Sequence, residues 1–187
     1  MTPPPHKPAL LIINLQTLFL PMTTSCLSNI ITLSRHFSAR GWPQFFTQHG
    51  HPASDFEPPI TNQLAKKWGV EASLHLHSRQ WGLLDEVKVL VREAGLEMGD
   101  VIGKNVYDAF LGRLRGEGVG RVVVVGVMTD CCCDTAGRGA FNRGFETWMV
   151  CDTTGSVDQV QHEAGLKAWG HGYGDVIDTE EVLKRLG

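Results

Sequence analysis

The sequence carries little net charge, no long apolar run and no glycine-rich phosphate loop, and each absence removes a class of function. Seventeen basic residues stand against twenty acidic ones, a net charge of −3. A nucleic-acid binder needs a concentrated basic face, and none is present. No apolar stretch approaches the ~20 residues that span a bilayer, so no membrane contact is expected. The opening residues, Met1-Thr2-Pro3-Pro4-Pro5-His6-Lys7-Pro8, contain no apolar signal core. They read as a flexible lead-in over residues 1–8, and export is not expected. The many glycines form neither GxxxxGK[ST] nor GxGxxG at a strand–helix junction, so no nucleotide cofactor is expected.

Cysteine is also scarce, and its placement matters. There are five: Cys26, Cys131, Cys132, Cys133 and Cys151. The count is odd and three are consecutive, a spacing at which disulfide geometry is seldom met. A disulfide framework is therefore not expected, and a reducing, cytoplasmic setting is. Cys26 and Cys151 read as buried packing thiols.

What is present is a normal globular balance, 42% hydrophobic and 20% charged over 187 residues. That suits one domain, 1–187, with a sizeable core. Strand-like and helix-like segments alternate, the pattern of a parallel sheet covered on both faces. The strands read as Ala9 to Leu15, Gln44 to Thr47, Asp100 to Lys104, Arg121 to Val127, Glu146 to Cys151 and Asp175 to Ile177. Helices are expected at Thr24 to Arg40 with Gly41 as its cap, Asp108 to Gly116, Cys131 to Arg143 and Val157 to Trp169. A last helix covers Thr179 to Leu186, with Thr179 as its N-cap. Residues 48–80 hold prolines, histidines and Trp68 with little periodicity. They read as a long functional excursion with a short helix around Asn62 to Trp68. No internal repeat is visible.

The most informative stretch is Gly126-Val127-Met128-Thr129-Asp130-Cys131-Cys132-Cys133-Asp134-Thr135-Ala136. It joins the strongest strand to a helix, the place where ligands bind in open parallel sheets. Free N–H groups and the helix dipole favour a thiolate there and can receive an oxyanion. Local geometry does not choose among the three cysteines. On the residues alone, nucleophile and inert packing thiol are equally served. Asp130, just before the helix, is expected to cap it.

Gly126-Val127-Met128-Thr129, Cys132-Cys133-Asp134-Thr135 and Arg138-Gly139-Ala140-Phe141 resemble the signature of isochorismatase-like cysteine hydrolases. The likeness extends to ALLIINLQTLF in the first strand, to Gly103-Lys104-Asn105-Val106-Tyr107-Asp108-Ala109-Phe110, to Gly144-Phe145 and to Cys151-Asp152-Thr153. The resemblance implies a three-layer α/β/α sandwich with a parallel sheet of about six strands in the order 3-2-1-4-5-6. It implies a cis peptide between Val127 and Met128, and an oxyanion hole from the Met128 and Cys132 backbone. It also implies Cys132 as nucleophile and Lys104 as its partner. Phe110, His49, Gln16 and Trp81 are assigned to the substrate wall. The implied partners are a small-molecule substrate and further copies of the chain, since such proteins are commonly homo-oligomers; Trp81 and Trp148, read as loop aromatics, fit that.

One position departs from the family pattern. Where the family has an aspartate that takes the thiol proton, this chain has Asn14, before Leu15-Gln16. An amide cannot accept a proton as a carboxylate does. The expectation is a hydrolase acting on a small amide, ester or related metabolite with altered proton transfer. The alternative is a silent or non-hydrolytic relative that binds or rearranges a metabolite. Nicotinamidases of the superfamily carry an Asp-x-His…His metal site near His49-Gly50-His51. Here His49 holds the aspartate's place, and with His75 and His77 far off, no metal is expected.

Overall fold

The computed structural model describes residues 7–109 and 118–187. Six strands form one parallel sheet: β1 (Lys7–Ile13), β2 (Gln44–His49), β3 (Ile102–Lys104), β4 (Val119–Val127), β5 (Glu146–Gly155) and β6 (Asp175–Ile177). Their order is β3-β2-β1-β4-β5-β6 and every pairing is parallel. Among the described residues there are seven helices: α1 (Leu20–Thr23), α2 (Leu27–Ala39), α3 (Gln63–Ala72), α4 (Asp85–Glu93), α5 (Asp134–Phe141), α6 (Gln159–Gly172) and α7 (Thr179–Leu186).

The continuous apolar strands make sense because both faces of the sheet are covered. Leu10, Ile12, Val123, Val125, Trp148 and Val150 point to one side, into a core with α2, α4 and α7. Ala9, Leu11, Ile13, Val122, Val124 and Met149 point to the other, against α5 and α6. The alternation is the two-residue period of a strand. Two close approaches require glycine. A Cβ on Gly126 would lie 2.2 Å from the Ile13 carbonyl oxygen, and one on Gly137 2.2 Å from the Trp169 ring. The first lets β4 lie against β1 beside the pocket; the second lets α5 pack on α6.

Several expected boundaries move for physical reasons. Lys7 and Pro8 join β1, since proline is tolerated at a strand's first residues. Residues 1–6 of the lead-in lie outside the described residues. β1 stops at Ile13 because Asn14 adopts a left-handed backbone, φ 53°. α4 was not read from the sequence, although Val87, Leu90 and Val91 fall at helical spacing and Asp85 and Glu86 occupy its first turn. The helix expected over Asp108 to Gly116 falls almost wholly outside the described residues. α7 has the expected span, but Asp178 caps it, accepting from the Glu181 N–H at 2.8 Å. Thr179 instead donates its N–H and hydroxyl to Asp152 Oδ1, both at 2.9 Å. The same carboxylate accepts from Asn29 on α2, so Asp152 ties α2 and α7 to β5. Trp148 is no loop aromatic: it lies in β5, 2% exposed, with the guanidinium carbons of Arg121 and Arg185 4.1 and 5.3 Å from its ring centroid.

Candidate active site

Strand order reverses between β1 and β4, so connections leave the sheet in opposite directions and open a crevice at its carboxyl edge. Asn14 follows β1, Lys104 ends β3, and Cys132 lies in the turn after β4. That turn, Thr129–Cys133, is wound as a π-helix before α5 begins. The Val127–Met128 peptide is cis, as expected. The N–H groups of Cys131 and Cys133 both donate to the Met128 carbonyl, at 3.2 and 3.0 Å, and that of Cys132 does not.

The fold separates the three consecutive thiols. Cys133 is fully buried in the core between sheet and helices, and burial holds its pKa well above the usual thiol range. Cys131 is pushed up to about 11 by burial and by the Asp130 charge. Cys132 lines the pocket, and its Sγ accepts a hydrogen bond from Lys104 Nζ at 3.3 Å. The Lys104 ammonium also donates to the carbonyls of Val106, at 2.9 Å, and Tyr107, at 3.3 Å. Those three acceptors match its three protons, and Lys104 is buried.

Asn14 lines the same pocket, 1% exposed. Its Oδ1 accepts from the Thr47 hydroxyl at 2.9 Å, and its N–H donates to the Thr47 carbonyl at 3.3 Å. The Asn14 side chain is thus held by the Thr47 hydroxyl. His49 also faces the pocket. Burial, with the Lys104 charge second, pulls its pKa down to about 3, so the ring is neutral at physiological pH. Its Nδ1 is buried without a partner.

Other expected wall residues sit elsewhere. Gln16 is wholly buried and clamps the backbone: its Nε2 donates to the carbonyls of His49 and Trp81, and its Oε1 accepts from the His49 N–H. Trp81 is not among the lining residues; its ring covers Gly50 and meets the His77 ring edge-on. Phe110 lies outside the described residues. Asp130 caps nothing with its side chain; it accepts from the Ser156 hydroxyl, so it is turned toward the β5–α6 connection.

The cavity measures about 260 Å³ and draws its wall from Leu18, Phe19, Met22, Trp68, Tyr107 and Val157. Trp68, expected in a short helix of the 48–80 excursion, is wall, and its Nε1 donates to the Tyr107 hydroxyl at 3.1 Å. The other five were not foreseen. Leu18 and Phe19 lie inside the first-strand motif and Tyr107 inside the lysine motif, which could have flagged them; Met22 and Val157 carry no local signal.

Two of the other histidines are hydrogen-bonded within the protein. His51 Nδ1 is hydrogen-bonded to Asp55 at 2.7 Å, and Asp55 also accepts from Asn62 and Asn105. His75 Nε2 meets the Val70 carbonyl at 2.8 Å. Among the described residues, no three His, Cys, Asp or Glu side chains gather in a way that could hold an ion.

The isochorismatase domain model matches residues 8–181. The chain belongs to the isochorismatase family. It is 28% identical to nicotinamidase 3 of Arabidopsis thaliana over 183 residues, covering 95% of this chain and 88% of that protein. A shorter likeness, 30% over 91 residues, links 46% of the chain to 43% of the maleamate amidohydrolase of Pseudomonas putida. Among solved structures, the nicotinamidase/pyrazinamidase of Bacillus subtilis superposes with a TM-score of 0.76, at 20% identity, over 92% of this chain and 99% of that one. The pyrazinamidase/nicotinamidase of Streptococcus mutans gives 0.75 at 24% identity, over 91% and 99%. Among the described residues no helix is long and apolar enough to cross a membrane.

Proposed function

We propose that this family member is a cysteine-dependent hydrolase that cleaves an amide bond of a small molecule, with Cys132 as nucleophile and Lys104 as its charge partner. The observation that carries the reading is the 3.3 Å approach of Lys104 Nζ to Cys132 Sγ beside a cavity large enough for a small metabolite. The names of two relatives, a nicotinamidase and a maleamate amidohydrolase, specify amide substrates.

The thiolate of Cys132 attacks the amide carbonyl carbon while the ammonium of Lys104 balances its charge. The resulting oxyanion is received by the N–H of Cys132, which the Met128 carbonyl does not take up, together with that of Met128. The C–N bond breaks, the leaving nitrogen takes a proton from pocket water, and a thioester remains on Cys132. Water then adds to the thioester, the acid departs, and the thiol is restored. Asn14 has no basic lone pair to carry protons through these steps. Pocket water takes over, and turnover is slow. His49 supplies a neutral ring nitrogen to orient substrate. Self-association belongs to the same reading and is checked by a light-scattering mass. A reducing compartment also belongs to it, in keeping with five unpaired cysteines.

The test is a panel of small amides, including nicotinamide and maleamate, given to wild type, Cys132→Ala and Asn14→Asp. Slow wild-type hydrolysis with a trapped acyl adduct on the Cys132 peptide is expected. Hydrolysis that survives Cys132→Ala overturns the mechanism.

A further inference from the structure

Two features of the pocket narrow its ligand. The first is the absence of charge: among the described lining residues there is no Lys, Arg, Asp or Glu side chain. Lys104, which reaches the Cys132 sulfur, has its protons directed at two carbonyls and Cys132, and Lys67 lies on the Trp68 ring, 5.6 Å from its centroid. His49 is held neutral by burial and by the Lys104 charge. A substrate carboxylate entering this cavity would lose its hydration with no Lys or Arg among the described lining residues to replace it.

The second feature is the mouth. Large apolar side chains are normally turned inward, so exposed ones gathered at a pocket ask for a reason. The elements that supply the wall also carry exposed Leu20, Trp68, Val70, Val106, Val157 and Val160. Leu20 follows Phe19 in the chain, Val70 lies two residues beyond Trp68, and Val106 precedes Tyr107. Val160 lies three residues beyond Val157, in the first turn of α6. The α1 and β5–α6 segments meet here: a Cβ on Gly155 would lie 2.1 Å from the Met22 carbonyl oxygen. Trp68 and Val157 each line the cavity and stand exposed, so apolar surface runs from the wall above Cys132 out to the mouth.

We propose that the substrate is an uncharged amide bearing a hydrophobic substituent that runs from Cys132 outward over Trp68 and Val157. This rests on the cysteine-hydrolase reading and specifies its substrate class. The occupant is the substrate's own tail, because the apolar strip is continuous with the cavity that holds the thiol.

The test uses thiol alkylation, which reads the pocket without requiring turnover. In each case Cys132 Sγ displaces iodide and forms a thioether. Iodoacetamide, N-hexyl iodoacetamide and iodoacetate are given to the full-length chain, and Cys132 labelling is followed by peptide mass. Each rate is divided by that of the same reagent with N-acetylcysteine. A buried methylene is worth roughly fourfold, so partial burial of the hexyl chain should raise the normalised rate at least about tenfold over iodoacetamide. Iodoacetate should fall about tenfold below it. In Trp68→Ala and Val157→Ser the hexyl-to-amide ratio should drop severalfold; a ratio taken within one variant cancels any unfolded fraction.

A hexyl ratio near one, or iodoacetate as fast as iodoacetamide, overturns the proposal. A dimer that Val160→Glu dissociates, combined with a hexyl ratio near one, assigns the rim to a second copy and also overturns it. Cys132 labelling no faster than N-acetylcysteine with every reagent removes the nucleophile itself, and so separates failure of the hydrolase reading from failure of the substrate class.

Discussion

The two halves of the pocket differ in what they offer a reaction. On the β3–β4 side, Lys104 and Cys132 form a charged, polarisable pair at 3.3 Å. On the β1–β2 side, Asn14, Thr47 and His49 are neutral hydrogen-bonding groups, with Oδ1 of Asn14 already taken by the Thr47 hydroxyl. The difference teaches that nucleophilicity and proton transfer are separable functions of one cavity. The chain retains the groups for the first and carries an amide where the second would sit.

The sharpest way to break this comparison is to remove the nucleophile. Cys132→Ala should reduce amide hydrolysis to background and abolish the mass adduct, whereas Cys131→Ser should leave the Cys132 adduct in place. The contrast follows from burial, since Cys131, pushed up to about 11, has little thiolate at neutral pH. An adduct on Cys131 instead would overturn the assignment.

Lys104→Met removes the charge partner while keeping an apolar side chain of similar length. A fall in turnover of about 10²–10³-fold is expected, the range for losing one preorganised donor. Hydrolysis measured at saturating amide reads it, and an unchanged rate would make the 3.3 Å contact incidental.

Asn14→Asp acts on the other half. A positioned acid–base group supplies about 10²–10⁴-fold, so a rise near the lower end, about 10²-fold, is expected. Its signature would be a new ionisation in the pH–rate profile. A fall in hydrolysis would mean that the amide belongs to a different mechanism.

The smallest effect concerns stability. The folded pKa of His49, about 3, lies below its usual 6.5. Above pH 6.5 both states are neutral and nothing is lost. Below it the unfolded chain takes up a proton that the folded chain refuses, so stability falls as pH drops from 6.5 toward 3. His49→Gln should remove up to about 3 kcal/mol of that loss at pH 4. Urea denaturation of both proteins at pH 7 and pH 4 checks it, and parallel losses would exclude His49 as the cause.

Much of this was legible locally. The runs at Ala9 and Arg121 are continuous because both faces of each strand are buried, and that pattern needs no distant information. The 126–136 segment and Lys104 were likewise readable from neighbouring residues. Asp178 and Asp130 show the limit. Two carboxylates stand beside helical turns, yet one caps α7 and the other turns to Ser156. Residue type allowed both outcomes; packing chose. Trp81 and Gln16 illustrate it again, since Gln16 clamps backbone that begins 33 positions away.

By itself, then, the sequence determined the parallel sheet, its apolar strands, the strand–helix turn that presents a cysteine, and the amide in place of an acid. Those are properties of short segments: periodicity, backbone preference and the chemistry of one side chain. Only the tertiary structure decided which of three adjacent thiols meets Lys104, that Thr47 holds Asn14, and that the cavity wall is apolar. The reason is that the wall comes from four separate connections, around Leu18, Trp68, Tyr107 and Val157. Segments so distant in the chain become neighbours only when the sheet brings the carboxyl ends of its strands to one edge.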